Sequence, residues 1–281
     1  GEGRVGNEAG GNGLETTQLS NFTATSDNSG AKELWRGPWA GISRTNWILT
    51  NIDKSPKISD AKKTQYKGEA HFLRGLYYFN LVRLFGDVPW IDKQQTASDD
   101  LQVSRTSKDI VYQHIIDDFS DAASMLPAVY ENTTDIGRAT KGAAFGLLAK
   151  VYLTLKRYNE TLVAIDSVMN LGVYSLNRKY EWNFSDLREN GPESLFEVQY
   201  EKDVTAYSEF DILGQGGWHH EYMAPLASIN IGGPWGNFGW FAVYPEFVES
   251  YEPGDLRKSV SVWCEGDVYQ GWSYDPTCSQ T

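Results

Sequence analysis

The stretch Glu69-Ala70-His71-Phe72-Leu73-Arg74-Gly75-Leu76-Tyr77-Tyr78-Phe79-Asn80-Leu81-Val82-Arg83-Leu84-Phe85-Gly86-Asp87-Val88-Pro89 decides the fold. Tyr66, Ala70, Leu73, Tyr77, Leu81 and Leu84 recur at i, i+4 and i+7, the period of one helix face, and Phe72, Leu76 and Phe79 lie beside that stripe. The spacing predicts a helix from about Ser59 to Phe85. Its apolar surface is wide enough to need neighbours on two sides. Gly86-Asp87-Val88-Pro89 then stops it, because glycine ends helices readily and proline cannot continue one.

Working outward, the flanking segments also read as helices. Gly37-Pro38 suits a helix start, since proline is tolerated in a first turn, and Trp39, Ile42, Asn46 and Leu49 follow the same period up to Pro56. A third helix is predicted from Thr106, with Asp109 three residues on as the partner of a capping box, carrying Val111, Ile115, Phe119, Ala122 and Leu126 before Pro127. A fourth spans about Thr140–Arg157 and a fifth Tyr158–Leu171, stopping at Gly172. The small residues Ala144 and Ala149, with Leu148, Tyr152, Tyr158 and Ile165, approach a tetratricopeptide spacing; Thr161 and Val168 stand where that repeat prefers alanine. The expected class is therefore mainly α, a tetratricopeptide-like helical superhelix followed by a loop-rich, aromatic-rich region with little β structure. Three regions are predicted: a glycine-rich loop over residues 1–30, a helical scaffold over 31–180, and a ligand-binding region over 181–281. In the last, Ser194–Tyr200 alternates like a short strand.

Composition narrows the function. The 281 residues carry 25 basic and 37 acidic side chains, a formal charge of −12, which argues against a nucleic-acid partner. The deficit concentrates after Val204. Ten Trp, 16 Tyr and 12 Phe are more flat apolar surface than packing alone requires, and five of the tryptophans fall between Trp218 and Trp272 among glycines. Cys264 and Cys278 could close a disulfide or remain thiols; spacing alone leaves both open. His219-His220-Glu221 lacks a third metal ligand at a recognisable spacing, and the default for Glu246, Glu249, Glu252 and Asp255 is a solvated acidic face, with structural calcium as the alternative. No cofactor is implied.

The stretch quoted above closely resembles the signature helix and exit turn of the SusD/RagB family of nutrient-binding lipoproteins of Bacteroidetes. Three later segments agree: Arg138-Ala139-Thr140 leading into Ala149-Lys150-Val151-Tyr152-Leu153, Gly172-Val173-Tyr174-Ser175-Leu176, and Gly254-Asp255-Leu256-Arg257, where Leu256 replaces the family's proline. The resemblance implies a SusD-like fold and a non-catalytic glycan-binding protein. It further implies a surface-exposed outer-membrane lipoprotein that delivers oligo- or polysaccharide to a SusC-type TonB-dependent transporter. Membrane contact would come from a lipidated N-terminal cysteine, and family members also extend well past the Gly-Asp-Pro-Arg region. A trimmed or partial chain is the expectation.

Sugar rings present C–H faces that stack on indole and phenol, while nearby polar side chains bond the hydroxyls. Trp218, His219, Tyr222, Trp235, Asn237 and Trp240 have that makeup and are the predicted ligand-binding residues. Their competing role is to pin loops onto the scaffold. Peptide cargo, as in RagB-like members, is the second reading. A glycoside hydrolase is the third, though no nucleophile elbow, HExxH or phosphate-cradling loop is present.

Overall fold

A computed structural model describes residue 18 and residues 22–99, 102–199, 245–262, 268–269 and 272–273. The chain divides into two compact units, one of residues 34–178 and 182–199, the other of residues 1–33, 179–181 and 200–281. The first is the helical scaffold. It contains most of α1 (Ser29–Asn51), then α2 (Asp60–Phe85), α3 (Lys108–Met125), α4 (Lys141–Thr154) and α5 (Tyr158–Met169), with a two-residue antiparallel pair formed by β1 (Val88–Pro89) and β2 (Arg105–Thr106). The protein is mainly helical, and a tetratricopeptide-like stack describes it: α2 packs on α3, α3 on α4 and α4 on α5.

Two helix starts differ from the sequence expectation. α1 begins at Ser29, not at Pro38, because Asn28 Oδ1 accepts from the Ala31 N–H at 2.9 Å and caps the helix a full two turns earlier. Pro38 then lies inside the helix, where its missing N–H costs a hydrogen bond. The indoles on either side offset that loss, with Trp35 edge-on to Phe85 at 5.1 Å and Trp39 edge-on to Tyr78 at 5.9 Å. α3 begins at Lys108 and uses no local capping box. Asp87 reaches across from the α2 exit turn, and its Oδ1 accepts from the Lys108 N–H at 2.8 Å.

That contact gives a test. Asp87→Ala removes a cap supplied 21 residues away in sequence, and the expected loss is about 1 kcal/mol in urea unfolding, the usual worth of an N-cap side chain. Asp87→Asn should retain most of it, since an amide oxygen also accepts.

α2 owes its length to burial on more than one side. Phe72, Tyr78, Phe79, Leu81 and Val82 are all buried, and with Val111, Ile115 and Phe119 of α3 they form the core of the unit. The two helices run antiparallel, as the sequence of contacts shows. Gly68 lies against Met125, Gly75 against Phe119, and Phe79 against Tyr112. A Cβ on Gly68 would stand 2.9 Å from Met125 Cβ, so glycine sets the close approach there.

α5 is apolar on two faces. Thr161, Ala164 and Val168 are buried, and the Thr161 hydroxyl donates to Arg157 O at 2.9 Å, which satisfies a polar group at a position where the repeat prefers alanine. On the adjoining face Tyr158, Leu162, Ile165 and Met169 are exposed, forming a stripe at i, i+4, i+7 and i+11 with no described partner. Gly172 follows with φ +67, the left-handed backbone that ends the helix.

Residues 194–199 are not paired as a strand among the described residues. The consecutive pair Leu195 and Phe196 packs on helices instead, and Val198 is exposed. Phe196 meets Phe72 with centroids 4.9 Å apart, and Leu195 lies over Gly146 of α4.

In the other unit, described elements are short: α6 (Pro245–Glu249), α7 (Lys258–Ser261), and the antiparallel pair β3 (Val268–Tyr269) and β4 (Trp272–Ser273). Between the helices lies the Gly254-Asp255-Leu256-Arg257 turn. Gly254 has φ +86, and the Asp255 carboxylate accepts from the Arg257 backbone N–H at 2.9 Å and from its guanidinium. Those bonds hold the carboxyl down at about 2, below the ordinary 3.8. Leu256 is exposed, so the turn closes without a proline there.

Candidate functional site

Every predicted ligand-binding residue, Trp218, His219, Tyr222, Trp235, Asn237 and Trp240, lies outside the described residues, as do His220, Glu221 and the pair Cys264 and Cys278. Two polar constellations stand out in the scaffold that precedes them in sequence.

The first is buried at the centre of α2. Arg74 donates from Nε to Asp118 Oδ2 at 2.9 Å and from Nη2 to Asp118 Oδ1 at 2.7 Å, a two-pronged bond across the α2/α3 contact. Its Nη1 donates to Asn46 Oδ1 of α1 at 2.9 Å and to the Asp92 carbonyl at 3.1 Å. His71 Nδ1 sits 2.7 Å from Asp118 Oδ1. Asn46 Nδ2 donates to Ile91 O at 2.7 Å, and the Tyr78 hydroxyl accepts from the Ile91 N–H at 2.8 Å. Burial holds the Tyr78 phenol far above its ordinary pKa, so it is a neutral hydrogen-bonding group throughout the accessible range. Trp90 closes the cluster, stacked on His114 at 4.3 Å with Arg74 over its ring at 5.4 Å. One guanidinium thus joins α1, α2, α3 and the loop after β1. Its hydrogen bonds are spent within the fold, which makes this a structural clamp.

The second constellation borders a cleft of about 220 Å³ between the α3–α4 loop, the α5 exit turn and residues 190–197. Glu69, the first residue of the quoted stretch, organises its wall. Arg138 Nη1 donates to Glu69 Oε2 at 2.7 Å, and Gln65 Nε2 donates to Oε1 at 2.8 Å. The Tyr130 hydroxyl stands 2.8 Å from Ala139 O and 3.2 Å from Glu69 Oε1, and burial together with the Glu69 charge pushes its pKa well up. Tyr174 OH is 2.8 Å from Thr140 Oγ1, and Glu197 Oε2 accepts from the Asn190 N–H at 2.9 Å. The polar lining is engaged inward, so the cleft reads as a seam between loops and α4 more than as a receptor for a polar ligand.

His71 and His114 each have a partner at the edge of the core. The sequence reading missed Arg74 and Asp118. The only signal available was their position inside an otherwise apolar helical period, where a charge has to be paired.

A stack of antiparallel helix pairs, clamped by a buried arginine and followed by a tryptophan- and glycine-rich segment, defines a tetratricopeptide-like binding scaffold. Residues 6–153 match the SusD-like family described as starch-binding, associating with the outer membrane; this is more than half of the chain, and the chain belongs to that family. It is 27% identical over 257 residues to SusD-like protein P2 of Formosa agariphila, covering 87% of this chain and 48% of that protein. Starch-binding protein SusD of Bacteroides thetaiotaomicron is 26% identical over 148 residues, covering 48% of this chain and 26% of that one. Among solved structures, surface glycan-binding protein A from Bacteroides fluxus superposes with a TM-score of 0.73 at 26% identity, over 91% of this chain and 54% of that one. The chain spans about half the length of these relatives, or less.

Proposed function

We propose that this chain belongs to a surface glycan-binding protein that captures oligo- or polysaccharide at the outer membrane and passes it to a TonB-dependent transporter of the SusC type. Family membership carries the reading: the family is described as starch-binding and outer-membrane-associated, and a relative of similar fold is a surface glycan-binding protein. The tryptophans and glycines between residues 214 and 241 supply the chemistry it needs. Indole faces stack on sugar C–H surfaces, glycine admits a bulky chain close to the backbone, and His219 and Asn237 are suited to bonding hydroxyls. No bond is made or broken in this role. A lipid anchor preceding residue 1 would hold the protein at the membrane surface.

The test is retention on polysaccharide gels. Trp218→Ala combined with Trp235→Ala should weaken binding roughly tenfold or more, since each aromatic contact is worth about 0.5–1.5 kcal/mol. Unchanged mobility of that variant on every glycan that retards the parent would remove the site from this segment. Mobility of the parent unaffected by any neutral glycan would remove the glycan reading itself.

A further inference from the structure

Trp47 on α1 is 57% exposed, although tryptophan is usually well covered. Along the chain from Leu34 to Leu84 it is the one described large apolar side chain between those two that is exposed, a single ring and not part of an apolar stripe on α1 or α2. Its surroundings are polar and, one turn along, fixed in place. Asn51 Nδ2 donates to Trp47 O at 2.9 Å and to Gln94 Oε1 at 2.7 Å. The Gln94 N–H donates to Thr50 Oγ1 at 3.2 Å, and Lys54 Nζ donates to Asn51 Oδ1 at 3.0 Å. Exposed Ser43 and Arg44 flank the indole on the preceding turn.

These bonds orient the rim and leave it with donors to spare. Thr50 Oγ1 accepts from Gln94 and keeps its own proton, Gln94 Nε2 makes no described hydrogen bond, and the Lys54 ammonium has donors beyond its bond to Asn51. A flat apolar face beside several oriented donors is complementary to one neutral pyranose or furanose ring, whose C–H face is apolar and whose edge hydroxyls accept hydrogen bonds. An extended apolar ligand would not match one ring, and Lys54 and Arg44 set like charge against a cationic one.

We infer that Trp47, with Thr50, Asn51 and Gln94, is a second sugar-stacking platform on the helical scaffold, separate in sequence from the tryptophan-rich segment. It takes one ring of a neutral glycan. The inference rests on the glycan-binding reading for its class of ligand but concerns different residues, so the two can fail separately.

The experiment is affinity electrophoresis of the full chain in gels containing soluble starch, laminarin or xylan. Four proteins are compared: the parent, Trp47→Ala, Trp47→Phe, and Trp218→Ala with Trp235→Ala. Trp47→Ala should lose roughly threefold to tenfold in affinity for at least one polymer that retards the parent, as expected for one aromatic contact. Trp47→Phe should recover part of the loss, and circular-dichroism melting of all single variants should match the parent because the ring is exposed. Equal retardation of parent and Trp47→Ala on every polymer overturns the platform. If the tail variant loses retardation while Trp47→Ala does not, the platform falls and the tail site stands. A parent retarded by none of the polymers overturns both.

Discussion

Asp118→Ala is expected to lower the stability of the helical unit by about 3–5 kcal/mol, the cost of stranding one partner of a buried ion pair. The Asp118 side chain is 3% exposed and that of Arg74 9%, so water cannot replace the lost partner without opening the α2/α3 contact. The guanidinium would keep its bonds to Asn46 and Asp92 O but lose both bonds to the carboxylate. His71 loses its hydrogen-bond partner at the same time and keeps only the more distant Asp121 carboxylate at 4.0 Å. Chemical unfolding followed by far-ultraviolet circular dichroism measures the effect. Replacing both members, Arg74→Met with Asp118→Leu, should recover a substantial part, because no unpaired charge then remains. A single variant within about 1 kcal/mol of the parent would show that the pair is solvated, contrary to its burial.

Phe72→Ala should cost about 3–5 kcal/mol, as a fully buried phenylalanine does when the site cannot collapse. Phe72 is 0% exposed and lies between two rings, Phe119 of α3 at 5.8 Å and Phe196 at 4.9 Å. Its removal therefore loosens the 190–199 segment as well as the helix contact. A double-mutant cycle with Phe196→Ala separates the two consequences. Coupling of 0.5 kcal/mol or more is expected for rings in contact, and additivity of the two losses would show that the segment packs independently of α2.

Between Glu69 and Pro89 several residues have separate steric or hydrogen-bonding duties: Glu69 holds Arg138, Arg74 holds Asp118, Gly75 admits the Phe119 ring, and Asp87 caps α3. Periodicity alone located that helix, and Gly86 and Pro89 marked its end, because both signals are local. The start of α1 was hidden since Asn28 lies in a polar run without helical period, and Pro38 offered a more conspicuous start. The cap of α3 was hidden because its donor and acceptor are far apart in sequence. The alternation over 194–200 was misleading for another reason: the neighbours Leu195 and Phe196 both pack on helices while Val198 is exposed, so the covered residues do not follow period two. The predicted sugar-contacting tryptophans fall outside the described residues, so their reading rests on side-chain chemistry and on the family.

The stripe left open on α5 also bears on where the molecule gives way. In a linear array of helix pairs each member is secured by its neighbours, and α5 is gripped by α4 on one side while Tyr158, Leu162, Ile165 and Met169 face outward. Among the described helices of the scaffold, stability is then greatest around the arginine clamp and least at α5, and the amides of α5 are expected to exchange with solvent before those of α2 and α3.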